Sequence, residues 1–211
     1  MSRWIEPVTL EGTYVRLVPL EREHQDALAD AAADGELWKL WYTSVPSPDT
    51  IATWMDTALA MRDSQGAQPF TIIDAATGDV VGSTRYMNVE AAHRRLEIGS
   101  TWYAKRVQRT AINTEAKLLL LSHAFDTLKT IAVEFRTHFM NRQSRAAIAR
   151  LGAKEDGILR NHQIGRDGIY RDTVVFSIIE SEWPAVRANL RGKLETRHES
   201  RLESRLITRL D

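Results

Sequence analysis

The chain has 211 residues, 43% hydrophobic and 27% charged, enough apolar mass for one cored domain with an appendage. Lysine plus arginine and aspartate plus glutamate both number 28, so the charge balance gives no case for nucleic acid or an anionic membrane as partner. The lack of cysteine excludes disulfides, thiolate nucleophiles and cysteine-based zinc sites, and no apolar run approaches the ~18 residues of a membrane span. Glu6 and Pro7 sit where a signal peptide needs an apolar core, so the expected setting is cytoplasmic.

Residues 14–18 predict a first strand, closed by Pro19, and residues 21–34 a helix with Leu28 and several alanines on one side. An aromatic link through Trp38, Leu40, Trp41 and Tyr42 ends at Pro46 and Pro48. Asp49 is the expected cap of a helix over 50–62, in which Ile51, Trp54, Met55 and Leu59 share a face. Strands are predicted over 70–75 and 80–88 around Thr77-Gly78-Asp79, and a third over 95–103. A long helix over 113–128 leads to a strand over 131–139. There Ile131, Val133, Phe135 and Phe139 alternate with Glu134, Arg136 and His138. A helix over 141–151 is stopped by Gly152. Strands over 153–160 and 170–179 flank Gly165-Arg166-Asp167-Gly168, and Ser181 is the expected cap of a last helix over 183–190. Residues 1–191 then form one α+β domain with a mixed sheet. Residues 192–211, where Leu194, Leu202, Leu206 and Leu210 sit among charges, are expected to be a charged tail, helical or disordered.

The segment from Lys105 to Lys117 joins a strand directly to the N-terminus of an apolar helix containing Leu118 to Leu121. Small and polar residues at such a turn let backbone N–H groups converge. The helix dipole and Lys105, Arg106 and Arg109 add positive potential. These features suit a pyrophosphate, and equally a capped helix with a solvated basic loop. Neither a Gly-x-x-x-x-Gly-Lys-Ser/Thr loop nor a Gly-x-Gly-x-x-Gly turn is present.

Gln108-Arg109-Thr110-Ala111-Ile112-Asn113 resembles the Gln/Arg-x-x-Gly-x-Gly/Ala signature of the GNAT acetyltransferase superfamily. Ala111 stands where glycine is usual, and Asn113 where glycine or alanine is usual. The following Thr-Glu-Ala-Lys-Leu-Leu-Leu-Leu and His123-Ala124-Phe125 are similar to its RimJ/RimL-type branch. So are Leu10-Glu11-Gly12, Asn141-Arg142-Gln143-Ser144, Leu151-Gly152-Ala153, residues 155–160, residues 167–172 and Ser181-Glu182-Trp183-Pro184. The resemblance spans about residues 10–190.

It implies a GNAT fold, a mixed twisted sheet of about seven strands with helices on both faces, and acetyl-CoA as co-substrate without a metal. The implied reaction is direct acetyl transfer to a primary amine, on a protein N-terminus or a small molecule. The alternative is a non-catalytic acyl-CoA-binding sensor or partner subunit. The expected partners are acetyl-CoA and an amine acceptor rather than nucleic acid or membrane, with a homodimer left open.

The implied cofactor-binding residues are Thr101, Trp102 and Tyr103, mainly through main chain, then Gln108, Arg109, Thr110, Ala111, Asn113 and Thr114, and Asn141 toward the pantetheine arm. Ser144 corresponds to the serine that protonates the leaving thiolate. Asn141 equally suits a helix N-cap, and Ser144 a solvent-facing position. Glu97, between Leu96 and Ile98, is a candidate base, directly or through water, or half of a cross-strand ion pair. RimL-type proteins carry a glutamate near the end of the penultimate strand, where this chain has Asn161-His162-Gln163. His162 is either a substitute or a surface histidine, and His138 reads as structural. Trp38, Trp41 and Trp54 either line an acceptor pocket or pack the core.

Overall fold

Strands with alternating or continuous apolar patterns pair into one eight-stranded sheet in a computed structural model describing residues 3–165 and 168–207, with side chains to residue 197. The elements run β1 (Leu10–Glu11), β2 (Val15–Pro19), α1 (Gln25–Ala33), α2 (Ile51–Gln65), β3 (Gln68–Asp74), β4 (Val80–Glu90), β5 (Arg95–Tyr103), α3 (Ile112–Ser122), β6 (Ala132–His138), α4 (Arg142–Leu151), β7 (Lys154–Ile164), β8 (Tyr170–Ile179) and α5 (Trp183–Ile207). The sheet order is β1-β2-β3-β4-β5-β6-β8-β7, and every neighbouring pair is antiparallel except β5–β6.

The expected α+β GNAT architecture is present, with one strand more than the seven predicted. The addition is β1, two residues paired with Arg16 and Leu17 and too short to show a period. Successive residues of β4 show how helices cover both faces. Arg85 packs its guanidinium over Trp54 of α2, whereas Tyr86 turns the other way and donates from its hydroxyl to the Leu120 carbonyl of α3. The core holds Leu17, Phe70, Ile72, Tyr86, Leu96, Leu120, Leu121 and Ile178.

Several local expectations are modified. Ser47 and Thr50, rather than Asp49, organise the start of α2: the Ser47 N–H donates to Thr50 Oγ1 at 2.9 Å. α3 is a turn shorter than expected and continues as a π turn, His123–Thr127. Ser181 lies inside a short 3-10 turn, where the Ile179 N–H donates to the Glu182 carboxylate. α5 passes Gly192 without a break and reaches Ile207. Gly78 (φ 81°) and Gly152 (φ 107°) take the left-handed conformations that their turn and helix-end positions require. Arg166 and Asp167 at the predicted turn, and Leu210 in the tail, lie outside the described residues. No described helix is long and apolar enough to cross a membrane.

One long-range contact ties the start of α3 to the sheet edge. The Glu115 carboxylate accepts backbone N–H groups from Thr13, Tyr14 and Val15. Gly12 makes room for it, since a Cβ there would lie 2.4 Å from the Glu115 carboxyl carbon.

Candidate active site

Two parallel strands part at the centre of the sheet. β5 and β6 pair only through Arg95–Ala132, Leu96–Val133 and Glu97–Glu134, which leaves the rest of β5 without a strand partner on that side. A bulge accompanies the parting: Ser83 opposes Trp102 and Arg85 opposes Gly99, so β5 carries one extra residue, and Ser100 adopts φ 49°. Beyond the bulge the side chains are satisfied unequally, Trp102 Nε1 and the Tyr103 hydroxyl being buried without a hydrogen-bond partner among the described residues. Thr101 Oγ1 meets Thr84 Oγ1 at 2.7 Å, Trp102 is buried edge-on to Trp54, and burial pushes the enclosed Tyr103 phenol well above its usual range. On the side of the parting the backbone of these three residues has no strand partner.

The loop after β5 is shaped by its own polar side chains. Gln108 Nε2 donates to the Tyr103 carbonyl at 3.2 Å and ties the loop back to the strand. The Thr110 hydroxyl donates to the Val107 carbonyl at 2.7 Å and accepts the Ile112 N–H, while Val107 and Ala111 turn inward. Arg109 sits at φ 63°. The N–H groups of Arg109, Ala111, Asn113 and Thr114 make no hydrogen bond among the described residues. Asn113 Oδ1 is buried without a partner, and the Thr114 side chain points inward. The six predicted loop residues are therefore together at one helix N-terminus, where free donors and the helix dipole favour an anion.

Across the parting, α4 begins just beyond the end of β6. Asn141 caps it, its Oδ1 accepting the Ser144 N–H at 3.0 Å, so the cap role expected as an alternative is real. The Asn141 amide nitrogen and the Ser144 hydroxyl make no hydrogen bond among the described residues, and Ser144 is half-buried one turn along.

Glu97 is 5% exposed on the face opposite α3. Asn88 Nδ2 donates to it at 2.7 Å, and Arg136 Nε lies 3.5 Å away while also holding Glu134. Burial raises the Glu97 carboxyl above its usual range, with Asn88 and Arg136 pulling the other way. A second bulge in β4 and the left-handed Asn88 (φ 47°) aim that amide at Glu97. Gly99 is required beside it, because a Cβ there would lie 2.6 Å from Glu97 Oε1. Glu97 thus forms the cross-strand ion pair expected as one alternative, and its carboxyl is raised as well.

The aromatic residues divide into two groups. Trp54 packs on Trp102 and under Arg85, a buried arginine that desolvation lowers to about 10 and that finds no carboxylate among the described residues. Trp41, 57% exposed, stands edge-on to His138, with Tyr42 beside it. His138 Nδ1 accepts the Met140 N–H, and burial, with Arg171 nearby, lowers the imidazole's pKa. His162 is exposed on β7, its Nδ1 3.0 Å from Thr173 Oγ1. Thr173 pairs with His138 on the neighbouring strand. No described group of three or more His, Asp or Glu side chains is placed to hold a metal.

Sequence reasoning passed over Lys117. It lies on the sheet side of α3, 6% exposed, and donates to Thr101 Oγ1 at 2.9 Å. Its Nζ stands 6.0 Å from the centre of the Phe135 ring, and burial brings it down to about 7. Its one sequence signal is a charge inside the apolar stripe of α3, ahead of four leucines.

The geometry agrees with the comparisons to known proteins. Residues 15–154 match the model of the acetyltransferase (GNAT) domain. The chain is 27% identical over 148 residues to YdaF of Bacillus subtilis (strain 168), named provisionally as a ribosomal N-acetyltransferase, covering 68% of this chain and 78% of YdaF. A crystal structure of a GCN5-related N-acetyltransferase from Brucella melitensis superimposes with a TM-score of 0.79 at 33% identity, over 89% of this chain and 86% of that one. Mycobacterium smegmatis RimJ, solved with CoA-disulfide, shares the fold at a TM-score of 0.73 and 23% identity, over 89% of this chain and 95% of its own. With the domain match covering well over half of its length, the chain belongs to the GNAT N-acetyltransferase family, whose members take their acetyl group from acetyl-CoA.

Proposed function

We propose that the protein moves an acetyl group from acetyl-CoA to a primary amine, on a protein N-terminus or a small molecule, by direct attack. The observation that carries this reading is the β5–β6 parting beside a helix N-terminus with four free N–H groups. Those donors suit a pyrophosphate, and the free edge of β5 suits the amide-bearing pantetheine arm. Acetyl-CoA supplies the activated acyl group. A cytoplasmic setting belongs to the same proposal.

The remaining roles fall to this chain's side chains. An alkyl ammonium with a pKa of about 10.4 must lose a proton before it can attack. Glu97, raised by burial and oriented by Asn88 and Arg136, accepts that proton directly or through water. Ser144 delivers a proton to the departing thiolate, and the Asn141 amide nitrogen steadies the pantetheine arm. Trp41, Tyr42 and His138 form a wall on the acceptor side. The relative's name motivates peptide N-termini as one acceptor class, whereas the zero net charge gives no preference for basic ribosomal proteins.

The test is release of free thiol from acetyl-CoA with a panel of peptide N-termini, amino acids and polyamines. Turnover with at least one amine above background hydrolysis is expected. Tight coenzyme binding with no turnover across the panel would favour the acyl-CoA-binding sensor instead. Ala111, Asn113 and the absence of glutamate at 161–163 motivate that alternative.

A further inference from the structure

α5 reaches the anion-binding loop from the far end of the chain. Trp183 stacks on Phe125 with ring centres 5.4 Å apart and donates from Nε1 to Asp126, which anchors the helix across the end of α3. Further along, Lys193 Nζ donates to the Arg150 carbonyl at 2.6 Å and satisfies the C-terminal end of α4. Arg197, four residues on and so on the same face, donates from its guanidinium to the Arg109 carbonyl at 3.0 Å. Gly192 sits inside this run, and a Cβ there would meet nothing, so the helix continues without a packing requirement for glycine.

Two features make the Arg197 contact more than a surface hydrogen bond. Arg109 is held at φ 63°, which costs a non-glycine residue about 1 kcal/mol or more unless neighbours fix it. Its carbonyl belongs to the same peptide plane as the Thr110 N–H, which folds back on the Val107 carbonyl. Gripping that carbonyl locks the plane and leaves the flanking Arg109 and Ala111 N–H groups free. The second feature is charge. Neither Arg109 nor Arg197 has an acidic partner among the described residues. A guanidinium has five donors, and among the described residues this one uses a single bond, to a neutral carbonyl. Among the described residues, the Arg197 guanidinium thus reaches the loop with its charge unpaired, beside four free N–H groups suited to an anion.

We infer that Arg197 belongs to the coenzyme site. It positions Arg109 in its left-handed conformation and offers its remaining donors to a phosphate of the coenzyme, pyrophosphate or 3′-phosphate. This rests on the reading of the loop as the coenzyme's phosphate site, and it makes the first turns beyond residue 191 part of that site.

The experiment is calorimetric binding to the full chain and to Arg197→Gln and Arg197→Lys, using coenzyme A, 3′-dephospho-coenzyme A and pantetheine. Arg197→Gln should weaken coenzyme A by about five- to tenfold and leave pantetheine within about twofold, with Arg197→Lys recovering part of the loss, as expected for a charge-assisted contact. A loss that persists with dephospho-coenzyme A assigns the contact to the pyrophosphate, and a loss that vanishes with it assigns the 3′-phosphate. Unchanged coenzyme A affinity in Arg197→Gln, or equal weakening of pantetheine, would overturn the inference. If the wild-type protein binds coenzyme A no tighter than pantetheine, the phosphate reading of the loop fails first.

Discussion

Replacing Lys117 with methionine should stabilise the protein, and the gain should fade as pH rises. The unfolded lysine holds its proton up to about 10.5, whereas burial against Thr101 and Phe135 lowers the folded group to about 7. Between these values the unfolded chain binds more protons, so stability rises with pH and the burden is greatest at pH 7 and below. A fall from 10.5 to about 7 corresponds to roughly 5 kcal/mol. Methionine fills similar space and loses two hydrogen bonds, to Thr101 and, at 3.5 Å, to Thr84, together worth about 1–2 kcal/mol, while Thr84 and Thr101 still bond each other. The net expectation at pH 7 is a variant more stable by about 3 kcal/mol. Urea unfolding of both proteins from pH 6.5 to 9.5 is the assay, because every other titrating group cancels in the difference. Wild type should close the gap by about 3 kcal/mol between pH 7 and 9.5. A difference that stays flat to within about 0.5 kcal/mol across this range would show that Lys117 remains charged when folded.

Glu97→Gln should remove the acid limb of the kcat/KM profile and lower turnover by about 100-fold, with the wild-type limb lying above 4.5 because burial raises this carboxyl; a retained limb would assign the base elsewhere. Ser144→Ala should lower kcat about tenfold at saturating acetyl-CoA with little change in coenzyme affinity, and an unchanged kcat would leave Ser144 as a helix residue only. Gly12→Ala drives a methyl into the Glu115 carboxylate, so its melting temperature should fall by an amount worth about 2 kcal/mol. An unchanged melt would mean that the Glu115 clasp on Thr13, Tyr14 and Val15 yields readily.

Features set by near neighbours along the chain were open to the sequence alone. The period-2 alternation around Val133 and Phe135 marked β6, Gly152 marked the end of α4, and the small, polar and basic residues at 105–114 marked a turn before an apolar helix. Asn141 could be read as both cap and ligand candidate because capping depends on residues within one helical turn. Tertiary structure decided what those residues face. Glu97 meets Asn88 through a bulge and Arg136 across a strand, choices set by register and invisible in the run Leu96-Glu97-Ile98. Lys117 looked like an ordinary charge on a helix until the sheet closed over it. The Glu115 clasp on residues 13–15 and the Arg197 grip on Arg109 join groups 88 or more positions apart. Helix and strand periods act over a few residues, whereas such contacts exist only once the chain has packed. The parting of β5 from β6 beyond Glu97 is likewise a property of the assembled sheet.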